Sequence, residues 1–151
     1  MDVHAFAPGR KLILGGVDIP HHQGLDGHSD ADVLAHAISD ALLGAVRGGD
    51  IGKLFPDTDP AYKDADSLKL LAEVARFVRE RGFEIIDVDS VIAAQAPKLS
   101  PYREAMRENL AAAMGVPVEN VGVKATTTEH LGHEGREEGI TAYATCLVCR
   151  I

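Results

Sequence analysis

The first residues of the chain include an aspartate and a histidine at a spacing that suits metal binding. Residues 2–6 have the composition of a β-strand, and strand side chains two residues apart point to the same face. Asp2 and His4 can therefore reach one cation together, and His36 on a predicted helix could supply a third ligand. One carboxylate and two imidazoles with an open fourth position are typical of a catalytic zinc site.

The same residues also allow an interpretation without a metal, in which Asp2 and His4 lie on an edge strand and are unrelated to His36. Asp40 follows His36 by one helical turn and so lies on the same helical face. Asp40 could orient the imidazole of His36, or it could be a buried polar residue with no part in the site. Spacing alone leaves both alternatives open.

Alternating strand and helix patterns predict the elements that must position these residues. They indicate an α/β sandwich, a single domain over residues 1–151 with helices on one face of a mixed sheet. Strands are expected at residues 2–6, 11–17, 83–94, 121–125 and 140–150. Helices are expected at residues 29–46 with Ser29 as the N-cap, at residues 67–81, and from Ser100 to Gly115. Residues 50–65 are expected to form a functional loop.

Composition limits the partners that the chain can have. Its 151 residues contain 23 acidic and 15 basic side chains, for a net charge of −8. Nucleic acids and anionic membranes require a basic surface, so neither is expected as a partner. We find no run of about 18 apolar residues that could cross a membrane and no signal peptide, so a cytoplasmic location is expected. Cys146 and Cys149 are expected to face opposite sides of a strand as reduced thiols.

Three longer segments follow neither helix nor strand periodicity. They are Asp-Ile-Gly-Lys-Leu-Phe-Pro-Asp-Thr-Asp-Pro at residues 50–60, Ala-Gln-Ala-Pro-Lys at residues 94–98 and Lys-Ala-Thr-Thr-Thr-Glu at residues 124–129. Together with Asp-x-His and with His-Ser-Asp-x-Asp at residues 28–32, they resemble one family, the 2-C-methyl-D-erythritol 2,4-cyclodiphosphate synthases of the non-mevalonate isoprenoid pathway. The resemblance runs in order from Asp2 to Gly139. The first and third segments are highly specific.

The resemblance implies a lyase that closes a ring. The 2-phosphate of 4-diphosphocytidyl-2-C-methyl-D-erythritol 2-phosphate attacks the β-phosphorus of the same molecule and expels CMP, so no protein nucleophile is required. Catalysis would then consist of positioning two phosphates and of neutralising their repulsion with divalent cations.

The resemblance also assigns roles to individual residues. Asp2, His4 and His36 would hold Zn²⁺ or another divalent cation, and Glu129 would hold Mg²⁺ or Mn²⁺ that bridges the substrate phosphates. His28 and Thr127 match residues that stabilise the transition state. The other matched positions are expected to bind the substrate: Ser29, Asp50, Ile51, Gly52, Phe55, Pro56, Asp57, Thr58, Asp59, Ala94, Gln95, Ala96, Pro97, Lys98, Leu99, Ser100, Thr126, Thr128, His133 and Arg136. Residues 94–100 would recognise the cytidine. Residues 28 and 29 would act as a lid.

The modest aromatic content of 5% and the absence of Trp predict a small core, and the uncovered sheet face is expected to self-associate. The resemblance implies that the associated form is a homotrimer, with sheets around a three-fold axis and active sites between subunits. Two other functions stay open from the residues alone. They are a zinc phosphoester hydrolase and a trimeric module that binds metal or nucleotide without turnover.

Three positions depart from the family pattern. Met1 directly precedes Asp2, so the first strand is expected to be shortened. His133 stands where the family usually has Phe, and Tyr143 stands where it often has Glu. Arg136 would lose that Glu as its partner, so isoprenoid diphosphates are expected to bind weakly or not at all near the trimer axis. His21, His22 and His130 match no functional position and are expected to be exposed to solvent.

Overall fold

The computed structural model describes residues 1–151, which form two sheets and five α-helices. Its elements in chain order are β1 (Asp2–Ala7), β2 (Leu12–Leu14), β3 (Val17–Ile19), β4 (Gly24–Leu25), α1 (Val33–Ala45), α2 (Ile51–Leu54), α3 (Ser67–Glu80), β5 (Phe83–Ala93), α4 (Arg103–Met114), β6 (Lys124–Thr126), α5 (Gly132–Gly135) and β7 (Gly139–Arg150). Short 3₁₀ turns lie at Pro60–Tyr62, Ser100–Tyr102 and Val118–Asn120. No helix is both long and apolar enough to cross a membrane.

The main sheet is mixed, with strand order β4-β1-β7-β5-β6. Strands β5 and β6 are parallel, and the other neighbours in this sheet are antiparallel. The long pair β5 and β7 runs from Phe83 opposite Arg150 to Ala93 opposite Thr141. Strand β1 pairs with the first four residues of β7, Gly139 to Ala142, and so places the amino terminus beside the central strand of the sheet.

Helices α1, α3 and α4 cover one face of this sheet and enclose the core. Leu34, Ile38 and Leu42 recur on α1 at the spacing of one helical face and are fully buried. From the sheet, Val88 and Ile92 of β5 belong to the same apolar cluster. This arrangement confirms the predicted α/β sandwich with helices on one face of a mixed sheet.

The opposite sheet face lacks such cover within the chain. Alternation along β7 exposes Tyr143 and Leu147 to 47% and 59%, while Val3 of β1 is 43% exposed and Ile86 of β5 is 38% exposed. Exposed apolar side chains on adjacent strands are typical of a surface that contacts another molecule.

Several element boundaries differ from those predicted. The strand expected at residues 11–17 is a hairpin of β2 and β3, because Gly15 and Gly16 adopt positive φ values of 55° and 73° that reverse the chain. Helix α1 begins at Val33, so the prediction of Ser29 as the N-cap is wrong. Asp32 is the N-cap, and its side chain accepts a hydrogen bond from the Ala35 backbone N–H.

Other expectations are closer to the observed structure. Helix α3 begins at Ser67 as predicted, and Gly115 ends α4 in the left-handed conformation. Residues 50–65 are not purely a loop, since they contain α2 and a 3₁₀ turn. The strand predicted at residues 121–125 shifts to β6. Strand β1 extends over six residues.

The two cysteines of β7 are free, as expected. Cys146 is half-buried and points towards the carbonyl of Ala41, whereas Cys149 is exposed.

Candidate functional site

Three side chains that the sequence analysis selected as metal ligands converge at one end of β1. The Oδ2 atom of Asp2 lies 2.9 Å from His4 Nε2 and 3.2 Å from His36 Nδ1. The two imidazole nitrogens are 3.3 Å apart. These atoms form a group that could hold one metal ion, so the interpretation in which His36 is unrelated to the strand residues does not fit the structure.

Local structure explains how the ligands meet. On β1 the side chains of Asp2 and His4 are partly buried on one face, while Val3 and Ala5 are exposed on the other. Helix α1 packs over this strand, and His36 lies in its first turn. A strand and the start of a helix therefore supply the three ligands.

The ligand geometry fits a tetrahedral cation. Bonds of about 2.0–2.1 Å would separate neighbouring ligand atoms by roughly 3.4 Å, close to the distances found here. The other ring nitrogen of each histidine is already engaged, with His4 Nδ1 donating to the Asp26 carbonyl at 2.7 Å and His36 Nε2 lying 2.8 Å from Ser67 Oγ. Such contacts on the far side of metal-binding histidines are common.

Electrostatics in the metal-free chain are consistent with competition between a proton and a cation. Burial opposes ionisation of Asp2, but its interactions with His36 and His4 outweigh burial and hold the pKa of Asp2 well below its usual value. Burial likewise lowers the pKa of His4, yet the hydrogen bond and charge interaction with Asp2 outweigh it and raise that pKa. A proton on His4 Nε2, which faces Asp2 at 2.9 Å, would therefore compete with a cation for the same position.

A cleft of about 330 Å³ adjoins the three ligands. Of the predicted catalytic and substrate-binding residues, it is lined by His28, Ser29, Ile51, Gly52, Phe55 and Asp57. The imidazole of His28 lies 2.9 Å from the Asp59 carbonyl, which connects residues 28–32 to the 50–60 segment. Asp50 caps α2 by accepting from Lys53 N–H at 2.8 Å, so its role here is to shape the segment.

Besides Gly27, two residues of this cleft, Tyr62 and Leu70, were missed by the sequence analysis. Tyr62 packs edge-on against Phe55 with ring centroids 5.3 Å apart. Neither residue stands out in the sequence, because an aromatic or a leucine near a helix ordinarily belongs to the core. The motif at residues 50–60 was the only available signal, and Tyr62 lies just beyond it.

A second cleft of about 230 Å³ lies at the carboxyl ends of β5 and β6. Its lining includes eight of the predicted substrate or catalytic residues: Ala94, Gln95, Pro97, Lys98, Leu99, Ser100, Thr126 and Thr127. Ala96 belongs to the same loop. No residue lines both clefts, so within one chain the predicted cytidine residues are separate from the metal centre.

The loop of residues 127–131 is held by its own hydrogen bonds. Thr127 Oγ1 accepts from Glu129 N–H at 3.3 Å, and Thr128 Oγ1 donates to the Leu131 carbonyl at 2.6 Å. Glu129 is exposed, with a positive φ of 55°. Neither Thr127 nor Glu129 lines the cleft beside the metal centre. The structure thus does not bring Glu129 to the other predicted metal ligands within one chain.

The residues that the sequence analysis expects near a trimer axis lie outside both clefts. His133 Nε2 is 2.9 Å from Thr141 Oγ1, whose hydroxyl donates to buried Glu134 at 2.9 Å. Tyr143 supplies no carboxylate, but Arg136 forms an ion pair with Glu138. Arg136 thus has a carboxylate partner two residues along the chain, in place of the glutamate that the family pattern often has in the last strand.

Asp40 does not orient His36. Its Oδ1 accepts from the Ile51 backbone N–H at 2.7 Å and so joins α1 to α2. The hydroxyl of Ser67, at the start of α3, contacts His36 instead.

Of the remaining three histidines, two are exposed to solvent as expected and one is not. His22 and His130 are exposed, but His21 is half-buried against Phe6 and its Nε2 has no hydrogen-bond partner.

Comparison with known proteins identifies the same family that these motifs resemble. The sequence pattern of the YgbB family matches residues 1–149. A 2-C-methyl-D-erythritol 2,4-cyclodiphosphate synthase of Chlorobium phaeobacteroides is 60% identical over 98% of this chain and 93% of its own length. One of Desulfitobacterium hafniense is 61% identical over 97% and 94%. A solved structure of such a synthase in a CDP-bound form has a TM-score of 0.89 at 38% identity, and covers 98% of this chain and 96% of that one.

Proposed function

The chain belongs to the YgbB family, whose relatives with about 60% identity are 2-C-methyl-D-erythritol 2,4-cyclodiphosphate synthases, and we propose that it carries out this cyclisation. Its substrate is 4-diphosphocytidyl-2-C-methyl-D-erythritol 2-phosphate, and its products are the 2,4-cyclodiphosphate and CMP. It is thus a phosphorus–oxygen lyase of isoprenoid precursor biosynthesis. The observation that carries the proposal is the convergence of Asp2, His4 and His36 beside a cleft that contains the family motifs.

The residues around the metal centre have two tasks in this proposal. A divalent cation held by Asp2, His4 and His36 would neutralise negative charge on the substrate phosphates. The protein then holds the substrate so that its 2-phosphate faces the β-phosphorus, which makes the attack intramolecular and oriented. His28 and the apolar side chains of Phe55 and Tyr62 shape the cleft and exclude water from it.

The second cleft suits the cytidine end of the substrate. Small residues around Pro97 let backbone donors and acceptors approach a cytosine ring, and Lys98 can contact a phosphate or the ribose. Thr126 and Thr127 offer hydroxyls for the phosphates, and Glu129 offers a carboxylate to Mg²⁺ or Mn²⁺. A CDP-bound structure at 38% identity supports a cytidine diphosphate compound as the ligand.

We further propose that residues 1–151 act as one domain within a homotrimer. A substrate that reaches both the metal centre and a cytidine pocket requires a second chain, because the two clefts are separate in one chain. The uncovered face that includes Val3, Tyr143 and Leu147 is available for this association. A cytoplasmic location remains a prediction.

Product analysis tests the proposed reaction. The zinc-loaded chain is incubated with the cytidine diphosphate substrate and Mg²⁺, and the products are followed by ³¹P NMR. We expect CMP and a cyclic diphosphate in equal amounts, without incorporation of oxygen from ¹⁸O-labelled water. An open-chain diphosphate containing the label would show a zinc hydrolase instead, and absence of any CMP would show a binding module.

A further inference from the structure

A series of hydrogen bonds connects His36 to Asp30, a carboxylate that is not one of the three candidate metal ligands. His36 Nε2 lies 2.8 Å from Ser67 Oγ, and the Ser67 hydroxyl donates a short hydrogen bond to Asp30. Asp30 also accepts the backbone N–H groups of Ser67 and Asp32, each at 3.1 Å. Ser67 is fully buried. Asp30 and Ser67 therefore occupy defined positions behind the metal ligand.

Counting the protons in this series of hydrogen bonds shows which nitrogen of His36 is available to bind a cation. A carboxylate only accepts hydrogen bonds, so the single hydroxyl proton of Ser67 points to Asp30. The oxygen of Ser67 can then only accept from His36, and Nε2 must carry a proton. When a cation is bound, the neutral imidazole with Nε2–H has its lone pair on Nδ1, the atom that faces Asp2 and His4. Without a cation, Asp2 can accept only from a proton on Nδ1, so the inference concerns the metal-bound ring.

Ser29 offers a competing contact. Its hydroxyl lies 3.3 Å from the same His36 nitrogen and could donate to it, which would favour the opposite tautomer. The contact with Ser67 is shorter, and Ser29 Oγ also accepts the backbone N–H of Ala31 at 3.2 Å. The geometry thus favours donation from His36 to Ser67.

We infer that Asp30 and Ser67 are positioning residues that hold His36 as its Nε2–H tautomer and so direct Nδ1 to the cation. The inference rests on the proposed function only in that it assumes a metal at this centre. Ser67 begins α3, and Asp30 precedes α1, so the same hydrogen bonds also tie the two helices together at the ligand. Loss of such a supporting contact typically lowers metal affinity by about 10–100-fold.

The test measures zinc binding and tautomer without any substrate. The dissociation constant is obtained by competition with a chromophoric chelator, for the full chain and for Ser67→Ala. Side-chain ¹⁵N shifts of the zinc-loaded chain show which nitrogen of His36 binds the metal and which carries the proton. We expect an Nε2–H ring with zinc on Nδ1 in the parent, and zinc affinity about 10–100-fold weaker in Ser67→Ala.

Ser39→Ala is the matched control. Ser39 is a buried serine on the same helix as His36, but its hydroxyl has no hydrogen-bond partner. It should bind zinc as the parent does. Asp30→Asn provides a second variant if Ser67→Ala does not fold, and Ser67→Thr, which keeps the hydroxyl, should recover most of the affinity.

Two results would overturn the inference. One is zinc bound through Nε2 of His36 in the parent, and the other is unchanged zinc affinity in folded Ser67→Ala. Normal zinc binding with the expected tautomer, but no cyclic product from the substrate, would leave the inference standing and refute the proposed function.

Discussion

At the scale of single residues, the candidate metal ligands divide into two groups with different chemistry. Asp2, His4 and His36 form a centre with two imidazole nitrogens, whereas Glu129 is an exposed carboxylate in a separate loop. Imidazole suits zinc, while carboxylate oxygen suits Mg²⁺ or Mn²⁺. The two groups are therefore expected to respond differently to mutation.

Separate substitutions should distinguish the two cations. His4→Ala should lose zinc, because only two ligands remain. Glu129→Gln should keep about one zinc per chain but lose most Mg²⁺- or Mn²⁺-dependent turnover, since an amide is a poorer ligand for these cations. Atomic absorption and steady-state rates measure the two effects. Equal zinc loss in both variants would contradict separate sites.

Zinc affinity should decrease as the pH falls through the raised pKa of His4. Below the usual pKa of 6.5 the proton on His4 contributes its full stabilisation to the metal-free fold, and this contribution is lost as pH rises through the raised value. Zinc must displace that proton, so it binds more weakly at low pH. Chelator competition between about pH 6 and 8 measures the trend. An affinity independent of pH over this range would be contrary evidence.

At the scale of elements, Asp32 connects the start of α1 with the β2–β3 hairpin. Its carboxylate accepts the backbone N–H groups of Gly15, Gly16 and Ala35 at 2.8–3.1 Å, and the residue is fully buried. Because His36 lies in the first turn of α1, this cap also sets the position of a metal ligand. The stability of the cap and the geometry of the metal centre are thus linked.

Asp32→Ala should lower the free energy of unfolding by about 2–5 kcal/mol, because it removes an N-cap and leaves buried N–H groups without an acceptor. Urea unfolding of the metal-free chain measures the change. Asp18→Ala on the same hairpin is the control. Asp18 is 60% exposed, and its ion pair with Lys11 is weak because the two charged groups are 4.0 Å apart at the surface. That variant should lose about 0.5 kcal/mol or less. Similar losses in both would refute the role of the cap.

At the scale of the whole molecule, the two clefts and the uncovered sheet face point to the same conclusion. A single chain separates the metal centre from the predicted cytidine pocket. It also leaves apolar residues of β1, β5 and β7 exposed on one face. Association through a closed symmetry would cover that face and could join complementary clefts of neighbouring chains.

Mixing two inactive variants should therefore restore activity. His36→Ala lacks a metal ligand, and Thr127→Ala lacks a hydroxyl of the second cleft. Some interfaces in the mixed assembly would pair two intact halves. Turnover should also fall with dilution in step with dissociation, measured by analytical ultracentrifugation. A mixture that stays as inactive as its components would contradict a shared site.

Isoprenoid diphosphates should bind weakly or not at all near the three-fold axis of the proposed trimer. His133 is engaged with Thr141, and Arg136 is paired with Glu138, which would compete with a diphosphate for the guanidinium. Tyr143, at a position where the family pattern often has Glu, adds no positive charge. Calorimetry with farnesyl diphosphate measures the interaction, and Glu138→Gln should strengthen it. Submicromolar binding to the parent would show the prediction to be wrong.

The sequence alone determined the family and the chemical types of the candidate residues. The common face of Asp2 and His4 follows from strand alternation, and the end of α4 at Gly115 follows from the left-handed conformation that glycine tolerates. The specific segments at residues 50–60 and 124–129 indicated the reaction. Each of these features depends on residues that are near one another in the chain.

Only the tertiary structure decided which groups become partners. It placed Ser67 rather than Asp40 beside His36, and it supplied Glu138 as the partner of Arg136. It also showed that the two clefts are separate within one chain, which the spacing of the motifs does not indicate. Helical spacing shows which side chains share a face, but the approach of α3 to α1 depends on how their apolar faces pack on the sheet. That packing is a property of the whole core, so no local spacing predicts it.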